Sequence, residues 1–103
     1  MKIIKTETTI TIRLEEYFTF RQYQEFRNLL NKDLYDCHIN RIVFNMTAVK
    51  YMDSSALGML LTLIDKLEEY NVKQNINIYL INCQINVKKM LECSNFNRFM
   101  DIM

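Results

Sequence analysis

The arrangement of apolar and polar residues changes period several times along the chain. In "TTITIRL", Thr8 to Leu14, Ile10, Ile12 and Leu14 alternate with Thr9, Thr11 and Arg13. Period two with β-branched residues predicts a half-buried strand. "KIIK" before it is a short candidate partner strand. "RQYQEFRNLLNKDL" then places Tyr23, Phe26, Leu30 and Leu34 at helical spacing among polar residues, which predicts an amphipathic helix. "RIVFNM", Arg41 to Met46, is apolar without alternation, as in a buried central strand. A second helix is expected over "DSSALGMLLTLIDKLEEY" and a further strand over "NINIYLIN", Asn75 to Asn82. A shorter helix over "INVKKMLEC" runs through Val87, Met90 and Leu91. The tail holds Phe96, Phe99, Met100 and Ile102 and suits a final short strand or turn.

Strands alternating with helices predict an α/β fold with a mixed, mostly parallel sheet of four to five strands flanked by helices. The chain has 103 residues and no linker, repeat or low-complexity stretch, so residues 1–103 are expected to form one domain. Half of the residues are hydrophobic and 24% are charged, the balance of a folded domain rather than a disordered one.

Charge removes some functions. Lys+Arg is 13 against Asp+Glu 12, a net charge of +1, so no basic field points to nucleic acid. No apolar run approaches the roughly 20 residues that span a bilayer, so no direct membrane insertion is expected. "MKIIKTETTI" lacks the apolar core and cleavage site of a signal peptide, and a cytoplasmic protein is expected. Cys37, Cys83 and Cys93 are far apart and His38 is the only histidine, too sparse a set for zinc. Cys83 and Cys93 are expected as small core residues, and no metal or cofactor is expected.

The chemistry concentrates at "YMDSSALGMLL", where a strand meets a helix. Asp53, Ser54 and Ser55 are all favoured at helix starts, and simple capping accounts for them. The same position also suits a phosphoserine, because a helix N-terminus carries unpaired amides and partial positive charge. Gly58 is the only glycine of the chain and falls inside the expected helix. There it costs about 1 kcal/mol against alanine. Either the helix packs tightly on the sheet at Gly58, or a partner approaches its backbone. On this helix Leu57, Leu60, Leu61, Ile64 and Leu67 form one stripe. Met59, Leu63 and Tyr70 form an adjacent flank beside Lys66. The flank is either a wider core face or a partner surface. An enzyme is not expected: the G-x-S-x-G elbow is missing, His38 is a lone base, and one glycine cannot build a phosphate-binding loop.

"RIVFNMTAVKYMDSSALGMLL" resembles the signature of STAS domains, specifically bacterial anti-sigma-factor antagonists. In them an apolar strand and a short loop lead into D-S-[ST]-[GA]-L-G and a helix. "RLEEYFTFRQYQEFRNLL" and "INIYLINCQINVKKMLECSNFNRFMDI" are similar to other parts of that family, so the resemblance covers nearly the whole chain. It implies a phosphoacceptor at Ser54, with Asp53 and Ser55 around it. It implies a neutral Thr19, between Phe18 and Phe20, where the family carries a loop acid near the phosphoserine. Ala56 stands where glycine is common in the family. The implied function is partner switching. The unphosphorylated protein binds an anti-sigma factor or switch kinase, that serine kinase phosphorylates Ser54, and a metal-dependent serine phosphatase resets it. Gly58, Met59, Leu63 and Lys66 are the expected partner-binding residues. The alternative is a non-phosphorylated structural subunit of a transporter-associated complex, to which the Thr19 departure leaves room. Oligomeric state, partner identity and the regulated process are left open.

Overall fold

The architecture was obtained as a computed structural model, which describes residues 1–32, 38–70 and 76–103. Leu34, Cys37 and Asn75 lie outside the described residues, as do the side chains of Leu30 and Tyr70.

Among the described residues, seven strands and three α-helices follow one another as β1 (Lys2–Lys5), β2 (Thr9–Arg13), β3 (Tyr17–Phe18), α1 (Tyr23–Lys32), β4 (Arg41–Asn45), β5 (Tyr51–Met52), α2 (Ser54–Tyr70), β6 (Asn77–Ile81), α3 (Ile85–Cys93) and β7 (Asp101–Ile102). Short 3-10 turns at Phe20–Gln22 and Phe96–Arg98 precede α1 and β7. The main sheet has the order β1-β2-β4-β6-β7. β1 is antiparallel to β2, with Ile3 opposite Ile12, and every other pairing is parallel. The expected mixed, mostly parallel sheet is therefore present. β3 and β5 form a separate parallel pair, with Tyr17 opposite Tyr51 and Phe18 opposite Met52, which the hydrophobic pattern did not foreshadow.

The register sorts side chains by face. Ile12, Phe44 and Leu80 are neighbours across β2, β4 and β6, as are Ile10, Ile42 and Ile78, and all six are buried. The intervening residues Thr11, Val43 and Tyr79 are only half-buried. β4 is thus covered tightly on one face, not on both as its unbroken apolar run suggests. The more open face keeps the guanidinium of Arg41 5.5 Å from the centre of the Tyr79 ring, a cation–π contact.

The helices close the buried face. Phe26 of α1 stacks on Phe44, with ring centres 6.0 Å apart, and lies 6.2 Å from Phe18. Val87 and Leu91 of α3, with Phe96 and Met100, complete the same core. Tyr23, expected on the inner face of α1, is exposed. It stands at the very start of the helix, after a turn that directs it outward. Cys93 is exposed, against expectation, while Cys83 is half-buried and packs against the core cluster. Burial raises the Cys83 thiol pKa above its ordinary value, opposed by nearby Lys88.

α2 corrects the assignment of faces. Ala56, Met59, Leu60, Leu63, Ile64 and Leu67 are buried, while Leu61 is 48% exposed and Leu57 lies between. Leu63 is 0% and Met59 6% exposed. Met59 and Leu63, expected to meet a partner, are core, and of the stripe expected in the core Leu61 faces outward while Leu57 is only partly buried. The physical reason is rotational. Polar Ser54, Gly58, Thr62 and Asp65 recur at spacings of four, four and three and are exposed. With Leu61 they mark the solvent stripe, and the sheet takes the opposite side.

Candidate functional site

Strand β5 ends at Met52, which is buried and anchors the chain. The next residue, Asp53, caps α2. Its Oδ1 accepts the Ala56 amide at 3.0 Å and the Ser55 hydroxyl at 2.6 Å. Its backbone carbonyl accepts the Leu57 amide at 3.3 Å. The Ser55 bond, with smaller contributions from backbone amides, holds the Asp53 carboxyl below its ordinary 3.8 against a weaker opposing effect of desolvation. The carboxylate therefore supplies the oxygen that the first helical amides need.

This cap divides the two serines. Ser55 spends its hydroxyl on Asp53. Ser54, the first residue of α2, is exposed, and its side chain makes no hydrogen bond among the described residues. One hydroxyl at the helix start is engaged and its neighbour is available to an incoming reagent.

Thr19 comes close to this corner from the other side. It is nearly buried and starts the 3-10 turn Phe20–Gln22 with a reciprocal capping box. Its Oγ1 accepts the Arg21 amide at 3.3 Å, and Gln22 Oε1 accepts the Thr19 amide at 2.8 Å. Thr19 and Asp53 line one open cleft of about 490 Å³ with Tyr17, Phe20, Arg21 and Tyr51. The cleft exists because β3 and β5 pair side by side. Lys50 and Tyr51 amides both donate to the Glu16 carbonyl, at 2.9 and 3.2 Å. That pairing brings the Tyr17 and Tyr51 rings to 6.1 Å.

The residues expected at the site divide into two groups. Asp53, Ser54, Ser55 and Thr19 gather at one corner. Gly58 is exposed one turn along α2, and a Cβ built on it would meet nothing within 4 Å, so tight packing on the sheet is not its reason. Lys66 is half-buried farther along the helix. Met59 and Leu63 are withdrawn into the core and present no surface there.

Sequence reasoning missed Tyr17, Phe20, Arg21, Tyr51 and Leu61. Phe20 is 68% exposed, and Tyr17, Tyr51 and Leu61 are each about half exposed. A faint signal existed for the tyrosines. Each directly precedes a buried apolar residue, Phe18 or Met52, so strand alternation turns it outward. Their closeness to each other rests on the β3–β5 pairing, which two-residue strands do not announce. Among the described residues no helix is long and apolar enough to cross a membrane.

Comparison with known proteins agrees with this architecture. The family model of the STAS domain matches residues 1–103. A STAS-domain containing protein of Pseudomonas aeruginosa strain UCBPP-PA14 is 36% identical over 93 residues, covering 90% of this chain and 86% of that protein. The chain belongs to the STAS-domain family. Among solved structures, the anti-sigma factor antagonist SpoIIAA in its unphosphorylated form superposes with a TM-score of 0.73 at 20% identity, covering 99% of this chain and 86% of that one. The phosphorylated form of the Bacillus SpoIIAA gives the same TM-score and identity, with 99% and 89% covered. The Thermotoga maritima protein tm1081 reaches 0.78 at 14% identity, with 98% and 83% covered. At these identities the three structures establish a shared fold.

Proposed function

We propose that this protein is a cytoplasmic partner-switching regulator, of the kind to which anti-sigma factor antagonists belong, controlled by phosphorylation of Ser54. The observation that carries the proposal is the division of labour at the start of α2. Asp53 and Ser55 stabilise the helix between themselves, which leaves the Ser54 hydroxyl exposed and, among the described residues, unbonded. In the reaction the Ser54 oxygen attacks the terminal phosphorus of a nucleoside triphosphate held by a partner kinase. The bond to the diphosphate breaks, and the hydroxyl proton passes to a base of that kinase. A serine phosphatase reverses the change by hydrolysis. This protein is the substrate and the ligand, not the catalyst.

The partner surface is redrawn from the structure. It comprises the outward stripe of α2, with Gly58 and Leu61 next to Ser54, and the aromatic cleft beside Asp53. Lys66 stays at the margin of that stripe. A phosphate on Ser54 adds about −1.5 to −2 charge at neutral pH. The helix N-terminus tolerates it, with a gain of about 0.3 to 1 kcal/mol at an exposed site. Pressed into an apolar interface, the same group must lose its water, at several kcal/mol unless the partner supplies cations. Release of the partner without refolding follows from these two magnitudes.

The test is intact mass of the protein isolated from cells, with the modified residue mapped. A single phosphate on Ser54, lost in Ser54→Ala, is the expected result. Phosphate found only on Ser55 or Thr47 refutes the assignment. An unmodified protein that co-purifies with a membrane transporter supports the structural-subunit alternative instead.

A further inference from the structure

The cleft beside Ser54 contains a cation, Arg21, that makes no ion pair among the described residues. Arg21 borders it together with Tyr17, Phe20, Tyr51 and Asp53. On its other side Arg21 borders a second hollow, of about 430 Å³, shared with Glu15 and Glu16. The described acids near it make contacts of their own. Glu15 lies 3.2 Å from the α-ammonium of Met1, Glu16 3.9 Å from Lys50 Nζ, and Asp53 is occupied by Ser55 and Ala56. Among the described residues the Arg21 guanidinium has no ion pair or hydrogen bond; only its backbone amide is bonded, to Thr19.

We propose that this cleft receives an acidic side chain of the protein partner, carried next to an apolar one. The carboxylate pairs with the Arg21 guanidinium, whose planar fork matches two carboxylate oxygens. The apolar neighbour lies against Tyr17, Phe20 and Tyr51, large exposed rings of the kind concentrated at interface hot spots. Charge complementarity selects this occupant. A basic segment would meet the Arg21 guanidinium, while the Asp53 carboxylate that also lines the cleft already accepts two hydrogen bonds through Oδ1. The inference rests on reading this face as the partner surface, and it supplies the partner's chemistry.

Two capped tripeptides test it on the full chain by amide-detected NMR titration. One is leucine–glutamate–phenylalanine; the other has lysine in place of glutamate. The glutamate peptide should shift resonances of Tyr17, Phe20, Arg21 and Tyr51, and the lysine peptide should bind about tenfold more weakly, as expected for one charge-assisted pair at a partly exposed site. Arg21→Glu should invert that order, and Arg21→Gln should abolish the preference. The glutamine variant decides the matter if the glutamate variant loses its dispersed spectrum. Equal affinity of the two peptides for the unaltered protein overturns the inference. So do shifts mapping away from the cleft, or shifts of the same residues with protein concentration alone, which would mean that a second copy covers it. These outcomes are independent of the phosphosite: an unmodified Ser54 ends the switch proposal but leaves the peptide result standing.

Discussion

Truncating two leucines on α2, Leu61 and Leu63, separates core from partner surface. Leu63 is fully buried in the cluster that includes Phe44 and Leu60. Leu63→Ala removes its buried carbons and leaves a cavity, at about 2 to 5 kcal/mol. A domain of this size has about 5 to 15 kcal/mol to lose. Since about 1 kcal/mol moves the melting temperature of a 60–100-residue domain by about 4–8 °C, a drop on the order of 10 °C or more is expected. Leu61 is about half exposed. Leu61→Ala opens no cavity, and alanine is at least as good a helix former, so the stability change should stay within about 0.5 kcal/mol. Partner affinity should respond in the opposite sense, falling for Leu61→Ala and hardly moving for Leu63→Ala measured well below its melting point. Thermal melts by circular dichroism and calorimetric titration against the isolated partner give the two quantities. Equal losses of stability in the two variants would show that α2 is rotated from the position described here and refute the redrawn surface.

Gly58→Ala should stabilise the protein by about 1 kcal/mol, because a helical glycine is replaced and the new Cβ meets nothing within 4 Å. If that glycine serves close approach of a partner, the same variant binds less tightly; a melting temperature that falls instead contradicts the open space around Gly58. Asp53 contributes stability as a carboxylate whose pKa folding lowers. Its contribution is complete above the ordinary value of 3.8 and is lost as the pH falls through the lower folded value. Asp53→Asn should therefore flatten the acid limb of a stability–pH curve, and an unchanged limb would mean that the cap carries none of it.

Much of this protein was legible in the sequence because the relevant forces are local. Alternation from Thr9 to Arg13 predicts a strand one face of which is buried, and Ile10 and Ile12 lie on that face. The Asp53-Ser54-Ser55 run before an apolar helix predicts a capped start, since the capping bonds join residues at most three apart. The motif thus marked the corner where Ser54 sits. What it could not supply was the rotation of α2. Seven apolar residues between Leu57 and Leu67 exceed what one buried stripe requires, so hydrophobic periodicity has no unique phase there. The exposed polar residues Ser54, Gly58, Thr62 and Asp65 carry the phase, and the sheet enforces it by burying Met59 and Leu63. The cleft lay further out of reach. Tyr17 and Tyr51 are brought together by two-residue strands far apart in the chain, and such pairing depends on how the surrounding fold closes rather than on any local preference. The lack of an ion pair at Arg21 among the described residues has the same origin: Glu15 and Glu16, its near neighbours in sequence, lie 3.2 Å from the Met1 ammonium and 3.9 Å from Lys50 Nζ, groups that only the tertiary fold brings to them.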